Sequence, residues 1–241
     1  MQSKLLSEHG LKNYIAGTDY NFRYQKAGRS VKEDVQKVLS KMTIHPKEIY
    51  TGQQVHSANI AYVNGEYGDA FVFGKTFKET DGLITDQPNV ALLIKFADCT
   101  PVVLFDPVVQ VLASIHSGWR GTTQRISLNA VDMMVNDFKC KKENILAYLG
   151  PSIDIDHYEV GSEVYDAFET FGNRDQFFSP KEKKYQLSML DANLDILKNA
   201  GIRSENIEIE KASTFTDSRL HSARAEGLDY QLNGIITMMK P

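Results

Sequence analysis

The chain of 241 residues is 42% hydrophobic and 24% charged with a formal charge of −4. That is enough apolar material for a substantial core, and it leaves no basic excess to draw the protein to nucleic acid or an anionic membrane. No apolar run approaches the span of a bilayer, the start MQSKLLSEHGLKNY lacks the apolar core of a signal peptide, and two cysteines make no disulfide framework, so a cytoplasmic, reducing location is expected.

Up to Tyr24 the sequence reads as irregular, with Gly10 and Gly17 as turn points. Ser30 followed by Glu33 has the form of a capping box, and Val31, Val35, Val38, Leu39 and Met42 follow helical spacing, so a core-packed helix is predicted over Val31–Met42. The His45-Pro46 pair ends it, and EIYTGQQVHSANIAYV then reads as one or two strands, with His56 on a short extended segment. Residues 64–82 hold four of the sixteen glycines and read as loops around a short hairpin. Two apolar runs, Val90–Phe96 and Val108–Ile115, have the β-branched enrichment and length of buried strands. ISLNAVDMMVNDF is spaced for a helix through Ile126, Ala130, Val131, Met134 and Phe138. ENILAYLGP reads as a strand, YEVGSEVYDAFETF as a short amphipathic helix, LSMLDANLDILKNAG as a helix stopped by Gly201, and NIEIEKAST as an alternating strand before LNGIITMMKP. Without repeats or linkers, this mixture of βα and hairpin order predicts one α/β (α+β) domain over residues 1–241, with mixed sheets flanked by helices.

The two central strands each deliver a potential metal ligand at or just past the end, Cys99 and His116, and His56 is a third. Three protein ligands leave one tetrahedral position open, the pattern of a catalytic zinc site. Yet 43 residues separate His56 from Cys99 and 17 separate Cys99 from His116, which matches no short zinc signature, and taken singly a buried thiol is usually inert and a histidine at a strand end is more often a hydrogen-bonded structural residue. Asp98 suits a supporting role better than ligation, and Cys140 is expected to be a non-ligand. In SGWRGTTQR, Gly118 and Gly121 let backbone approach a ligand, Arg120 offers a planar fork to phosphate or carboxylate, and Thr122 and Thr123 add donors. The competing reading pairs Arg120 with an internal carboxylate and puts Trp119 in the core.

The pieces QQVHSANI, TDGLITDQPNVALLIKFADCTPVVLFDP, ASIHSGWRGT and LGPSIDIDHYEVGSEV resemble, in order, the YfiH/YlmD family, also called the laccase-domain or multicopper polyphenol oxidase family and the peptidoglycan editing factor family. The resemblance runs from Ile49 to Val164 and more loosely over both ends. It implies that His56, Cys99 and His116 are metal ligands, usually for zinc, on a single-domain α/β sandwich. It also implies phosphorolysis of adenosine, inosine, guanosine and methylthioadenosine, with adenosine deamination. Arg120 carries over as a phosphate or substrate contact with a catalytic part beside Cys99, and Asp81, which matches the acidic residue of the AD(A/G)L segment, and Arg224, which matches an arginine of the C-terminal pattern, carry over as substrate contacts. There are departures. IAGTDYNFR replaces the STRxGGVS segment, with Arg23 the candidate for its arginine, and in LHSARAEGLDYQ the residue Ala225 replaces a second arginine while the TGR arginine is missing. These changes remove positive charge from the expected substrate region.

The first functional expectation is therefore a zinc-dependent purine nucleoside enzyme acting on small molecules, nucleoside and phosphate, as a monomer or homodimer. Deamination needs a metal-activated water, which the triad suits, and phosphorolysis needs a held phosphate, which Arg120 suits. Glu159, Asp81, His157 and His221 are candidate general acids or bases. The alternatives are a copper-dependent polyphenol oxidase and a weakly catalytic factor editing peptidoglycan precursors. A full laccase copper set needs about ten histidines, and the chain has six.

Overall fold

The computed structural model describes residues 1–240. In chain order the elements are α1 (Lys4–Glu8), β1 (Lys12–Ala16), α2 (Tyr24–Ala27), α3 (Val31–Met42), β2 (Glu48–Gly52), β3 (Ile60–Tyr62), β4 (Asp69–Phe71), β5 (Gly74–Phe77) and β6 (Gly82–Thr85). There follow β7 (Val90–Phe96), β8 (Thr100–Asp106), β9 (Val111–Ser117), α4 (Trp119–Thr123), α5 (Ile126–Asn136), β10 (Leu146–Leu149), β11 (Glu159–Val160) and α6 (Ser162–Ala167). The chain closes with β12 (Phe178–Lys181), β13 (Lys184–Leu187), α7 (Met189–Asn199), β14 (Ile207–Ile209), α8 (Ala223–Glu226) and β15 (Asn233–Met238).

Two six-stranded sheets carry the fold, the first in the order β1-β15-β7-β2-β5-β4 and the second in the order β14-β10-β8-β9-β6-β3, beside a small sheet β11-β13-β12. Both large sheets are mixed: β2 runs parallel to β7 and β5 while β15 is antiparallel to β7, and β10 is parallel to β14 but antiparallel to β8. Their inner faces meet through Tyr50, Leu92, Ile94, Phe96 and Ile235 on one side and Val103, Phe105, Leu112 and Tyr148 on the other. Behind the first sheet, α3 lays Val31, Val35, Val38 and Leu39 on Ala91, Leu93 and Ile236. Behind the second, α5 and α7 lay Ile126, Ala130, Val131, Met134 and Leu197 on Val102, Leu104 and Ala113. Central strands are thus covered on both faces, which is why they read as continuous apolar runs rather than alternations. The mixed α/β architecture flanked by helices is the one expected.

Several local expectations give way. The N-terminal stretch is ordered as α1 and β1, and β1 finds its partner in β15 at the other end of the chain. Ser30 makes no capping box, because a 3₁₀ turn at Gly28–Ser30 runs straight into α3 and leaves Ser30 helical, its hydroxyl donating to the carbonyl of Ala27 instead. The strand expected from Val108 begins at Val111, because Asp106 Oδ1 accepts from the amides of Val108 and Val109 and turns the chain there. The preceding run, Thr100–Asp106, is itself a fully buried strand. His56 lies on neither β2 nor β3 but in the loop between them, with φ +63°. Among the described residues no helix is long and apolar enough to cross a membrane.

Candidate metal site

Two of the three candidate ligands sit where the chain passes from one large sheet to the other. His56 lies in the β2–β3 crossing and Cys99 in the short β7–β8 crossing, while His116 is on β9. Their ligand atoms all lie within 4.8 Å of one another. The two imidazoles meet edge to face with centroids 5.0 Å apart. His56 is exposed, Cys99 half-buried and His116 buried, so the site opens to solvent on the His56 side. The backbone is left-handed at His56 and at Asp98, φ +63° and +82°, a conformation that non-glycine residues keep only where the surroundings hold it.

Two carboxylates do the holding. Asp81, with no exposed surface, accepts at Oδ2 from the amides of Val55 (3.1 Å) and Ser57 (2.8 Å) and from the Ser57 hydroxyl (2.8 Å). Its Oδ1 accepts from the His56 amide (3.0 Å) and from Nδ1 of His116 (2.8 Å). That last bond leaves Nε2 of His116 as the nitrogen free for a metal. The resemblance makes Asp81 a substrate contact; here its oxygens are taken up by protein donors. Asp98 accepts at Oδ1 from the hydroxyls of Thr214 (2.8 Å) and Ser222 (2.7 Å) and at Oδ2 from the Arg224 amide (2.7 Å), tying the Cys99 turn to the C-terminal segment. Gly118 completes the fit, since a Cβ there would stand 2.7 Å from His56 Cδ2 and 3.0 Å from Cys99 Sγ.

The charges favour a cation. Burial raises the Cys99 thiol, but the charge of His116 and hydrogen bonds from both histidines outweigh it and bring the pKa down to about 6. Burial would lower His116, yet the Cys99 thiolate and the Asp81 carboxylate raise it to about 9. Burial likewise opposes ionisation of Asp81, but His116 and Ser57 hold it at about 2. One thiolate and two imidazoles, one of them backed by a carboxylate, fit a zinc-type ion. Cys140 contrasts on every count: it packs with the helices behind the second sheet, and burial together with Asp106 raises its thiol to about 12.

Around the triad the side chains divide into engaged and open. Arg120 is exposed, its guanidinium lies 4.3 Å from the Trp119 ring, and among the described residues it makes no ion pair, contrary to the internal-pair reading. Arg224 donates to the carbonyl of Glu159 (3.0 Å) and lies over the Tyr158 ring at 5.3 Å. Tyr158, between the candidate acids His157 and Glu159 in sequence, carries no motif that would single it out. Burial raises its phenol, and the nearby charges of Cys99, Arg224, Asp98 and Arg120 add smaller effects. Arg23 is occupied, donating to the carbonyls of Leu228 and Tyr230 and stacking on the Tyr230 ring at 3.8 Å. His221 has both ring nitrogens engaged, with Glu226 and the carbonyl of Tyr20. Glu159 pairs with Lys184 at 2.6 Å, and His157 is bonded to Asp154 (2.7 Å) and stacked on Phe215.

Residues 9–237 match the family model described as multi-copper polyphenol oxidoreductase laccase. The chain belongs to this laccase-domain family. It is 30% identical over 201 residues to a protein of Bacteroides thetaiotaomicron named purine nucleoside phosphorylase, covering 79% of this chain and 73% of that one. It is 31% identical over 183 residues to a prokaryotic protein named adenosine deaminase RL5, covering 73% of this chain and 70% of that one. The match to purine nucleoside phosphorylase YlmD of Bacillus subtilis, 32% identical, covers 59% of this chain and 52% of the relative. Among solved structures, YfiH of Bacillus licheniformis superposes with a TM-score of 0.86 at 28% identity, over 91% of this chain and 84% of that one. YlmD of Geobacillus stearothermophilus gives 0.89 at 20% identity, over 99% and 94%, a likeness of fold. The laccase-domain chain carries, among its described residues, one group of three or more histidine, cysteine or acidic side chains able to share a metal ion.

Proposed function

We propose that this laccase-domain protein is a zinc-dependent purine nucleoside enzyme, one that cleaves nucleosides with phosphate and also deaminates adenosine. The observation that carries the reading is the convergence of His56, Cys99 and His116 within 4.8 Å beside an exposed arginine that makes no ion pair among the described residues, in a chain whose relatives bear phosphorylase and deaminase names. His56, Cys99 and His116 would hold the ion, which when bound supplies a Lewis acid able to bring the pKa of a water down to about 7. Arg120 binds the phosphate through its planar fork, and the exposed edge at His56 admits the nucleoside. Tyr158, a neutral phenol whose ionisation burial opposes further, donates a hydrogen bond to the substrate. Arg224 holds Tyr158 in place, and Asp81 acts through His116 and the His56 loop rather than on substrate. Six histidines in the chain and, among the described residues, a single ligand group speak for one metal ion and against a multicopper oxidase set.

The test combines metal analysis of protein purified without added metal with chromatography of inosine and adenosine incubated with and without phosphate. The expected products are hypoxanthine and ribose 1-phosphate from inosine, in the presence of phosphate, and inosine from adenosine. Cys99→Ala should lose metal and turnover together, and Arg120→Lys should raise the phosphate KM because the fork is lost despite the retained charge. Wild-type turnover by Cys99→Ala would reject the reading, and a blue protein with stoichiometric copper that oxidises phenols would put the oxidase in its place.

A further inference from the structure

β7 is buried along its length, with Lys95 half-buried. The Lys95 amine turns toward the end of the neighbouring strand β2, where Nζ donates to Thr51 Oγ1 (2.6 Å) and to the carbonyl of Gly52 (2.9 Å), both neutral partners. The backbone of the same residue is bonded in both directions by one carboxamide: the Lys95 amide donates to Gln54 Oε1 (3.0 Å), and Gln54 Nε2 donates to the Lys95 carbonyl (2.6 Å). Regular pairing of β2 with β7 ends at Thr51 opposite Leu93. The Gln54 side chain takes over the role of the strand there. Lys95 therefore makes four hydrogen bonds to residues 51–54, directly before the His56 turn.

Beyond that point Asp81 takes the amides of Val55, His56 and Ser57. The loop is gripped from two sides, by an amine on its approach and a carboxylate at its turn. A lysine is a costly way to stabilise a strand: burial pulls its pKa down to about 7 even though Asp81 opposes the shift, and an apolar side chain of similar length would carry no such penalty. What its four bonds have in common is the segment that delivers His56 in a left-handed conformation, and strain of that kind persists only where neighbours over-determine it.

We propose that Lys95, together with Gln54, is the positioning residue for His56 and sets metal affinity through it without touching the metal. The inference rests on the metal reading above. Its test is a titration of chelator-stripped protein with Co²⁺, whose thiolate charge-transfer and d–d absorption report on Cys99 and on coordination geometry. Lys95→Met and Gln54→Ala should each weaken cobalt binding by about 10- to 100-fold, while the thiolate band at saturation persists. In a His56→Ala background neither substitution should weaken binding further. Unchanged affinity in Lys95→Met and Gln54→Ala, or an undiminished effect when His56 is absent, overturns the assignment. If Lys95→Met does not fold, Gln54→Ala and its double variant with His56→Ala decide the matter alone. Wild-type protein that binds no cobalt removes the metal reading and the inference with it, whereas wild-type binding with indifferent variants removes the inference only.

Discussion

A methyl group at residue 118 would press on both His56 and Cys99, at 2.7 and 3.0 Å, while the backbone there, φ −79°, suits any residue. Space rather than conformation demands the glycine. Gly118→Ala is therefore expected to push the His56 ring aside and lower metal affinity at least about 10-fold with the far-ultraviolet dichroism unchanged; equal affinity would mean the ring yields without consequence. Asp81 supplies a second expectation. Its pKa is depressed in the folded state, so it contributes stability above about pH 4 that is lost as the pH falls toward 2, roughly 2 kcal/mol in all. The difference in urea midpoint between wild type and Asp81→Asn should shrink over that window, and a constant difference would contradict it. The motifs around His56, Cys99 and His116 named the candidate ligands, but spacing could not, because two of them lie in sheet-to-sheet crossings and the third on β9 rather than along one element. Tyr158 and Lys95 were illegible for a related reason: a tyrosine and a lysine in apolar surroundings acquire meaning only from what stands beside them.

Elements whose signal is local were readable, and those that depend on distant partners were not. α3 shows its apolar stripe within twelve residues and forms with the predicted bounds. α1 has five residues, too few to stand alone, and is held by Glu208 of β14. That carboxylate accepts from the Ser3 hydroxyl (2.7 Å) and from the amides of Lys4 (3.1 Å) and Leu5 (2.6 Å) across a separation of about two hundred residues. Glu208→Ala should cost about 1–3 kcal/mol by urea unfolding and release the amides of α1 to faster hydrogen exchange. If neither changes, the helix is held by Leu6 in the core instead. The Val108 strand failed for a reason visible only in retrospect: in FDPVV the aspartate side chain captures two amides and makes a turn from β-branched residues, so composition alone misplaces the strand start.

Across the whole molecule the candidate site is a seam between the two large sheets, since His56 and Cys99 belong to the passages joining them. A bound ion then ties the halves of the sandwich together, and its binding energy is also stabilisation energy. With free zinc at about 100 times Kd the gain is about 2.7 kcal/mol, which for a chain of this size raises the melting temperature by roughly 5–10 °C. Adding a chelator should reverse the shift, Cys99→Ala should abolish it, and Cys140→Ser should leave it intact. A shift that survives in Cys99→Ala would place the ion elsewhere.

The position of β15 between β1 and β7 has a bearing on how the protein is made. Residues 12–16 leave the ribosome well over two hundred residues ahead of β15, the strand they pair with, and the same later strand covers the open edge of β7. The hydroxyls and amide that fix Asp98, from Thr214, Ser222 and Arg224, also arrive late. An unfinished chain therefore exposes two strand edges and an unset cysteine turn at once, the condition in which nascent sheets associate wrongly. Completion of the first sheet waits for β15, and fixing of the Cys99 turn waits for residues 214–224, so a chain arrested before residue 214 is expected to keep open strand edges and to lean on chaperones.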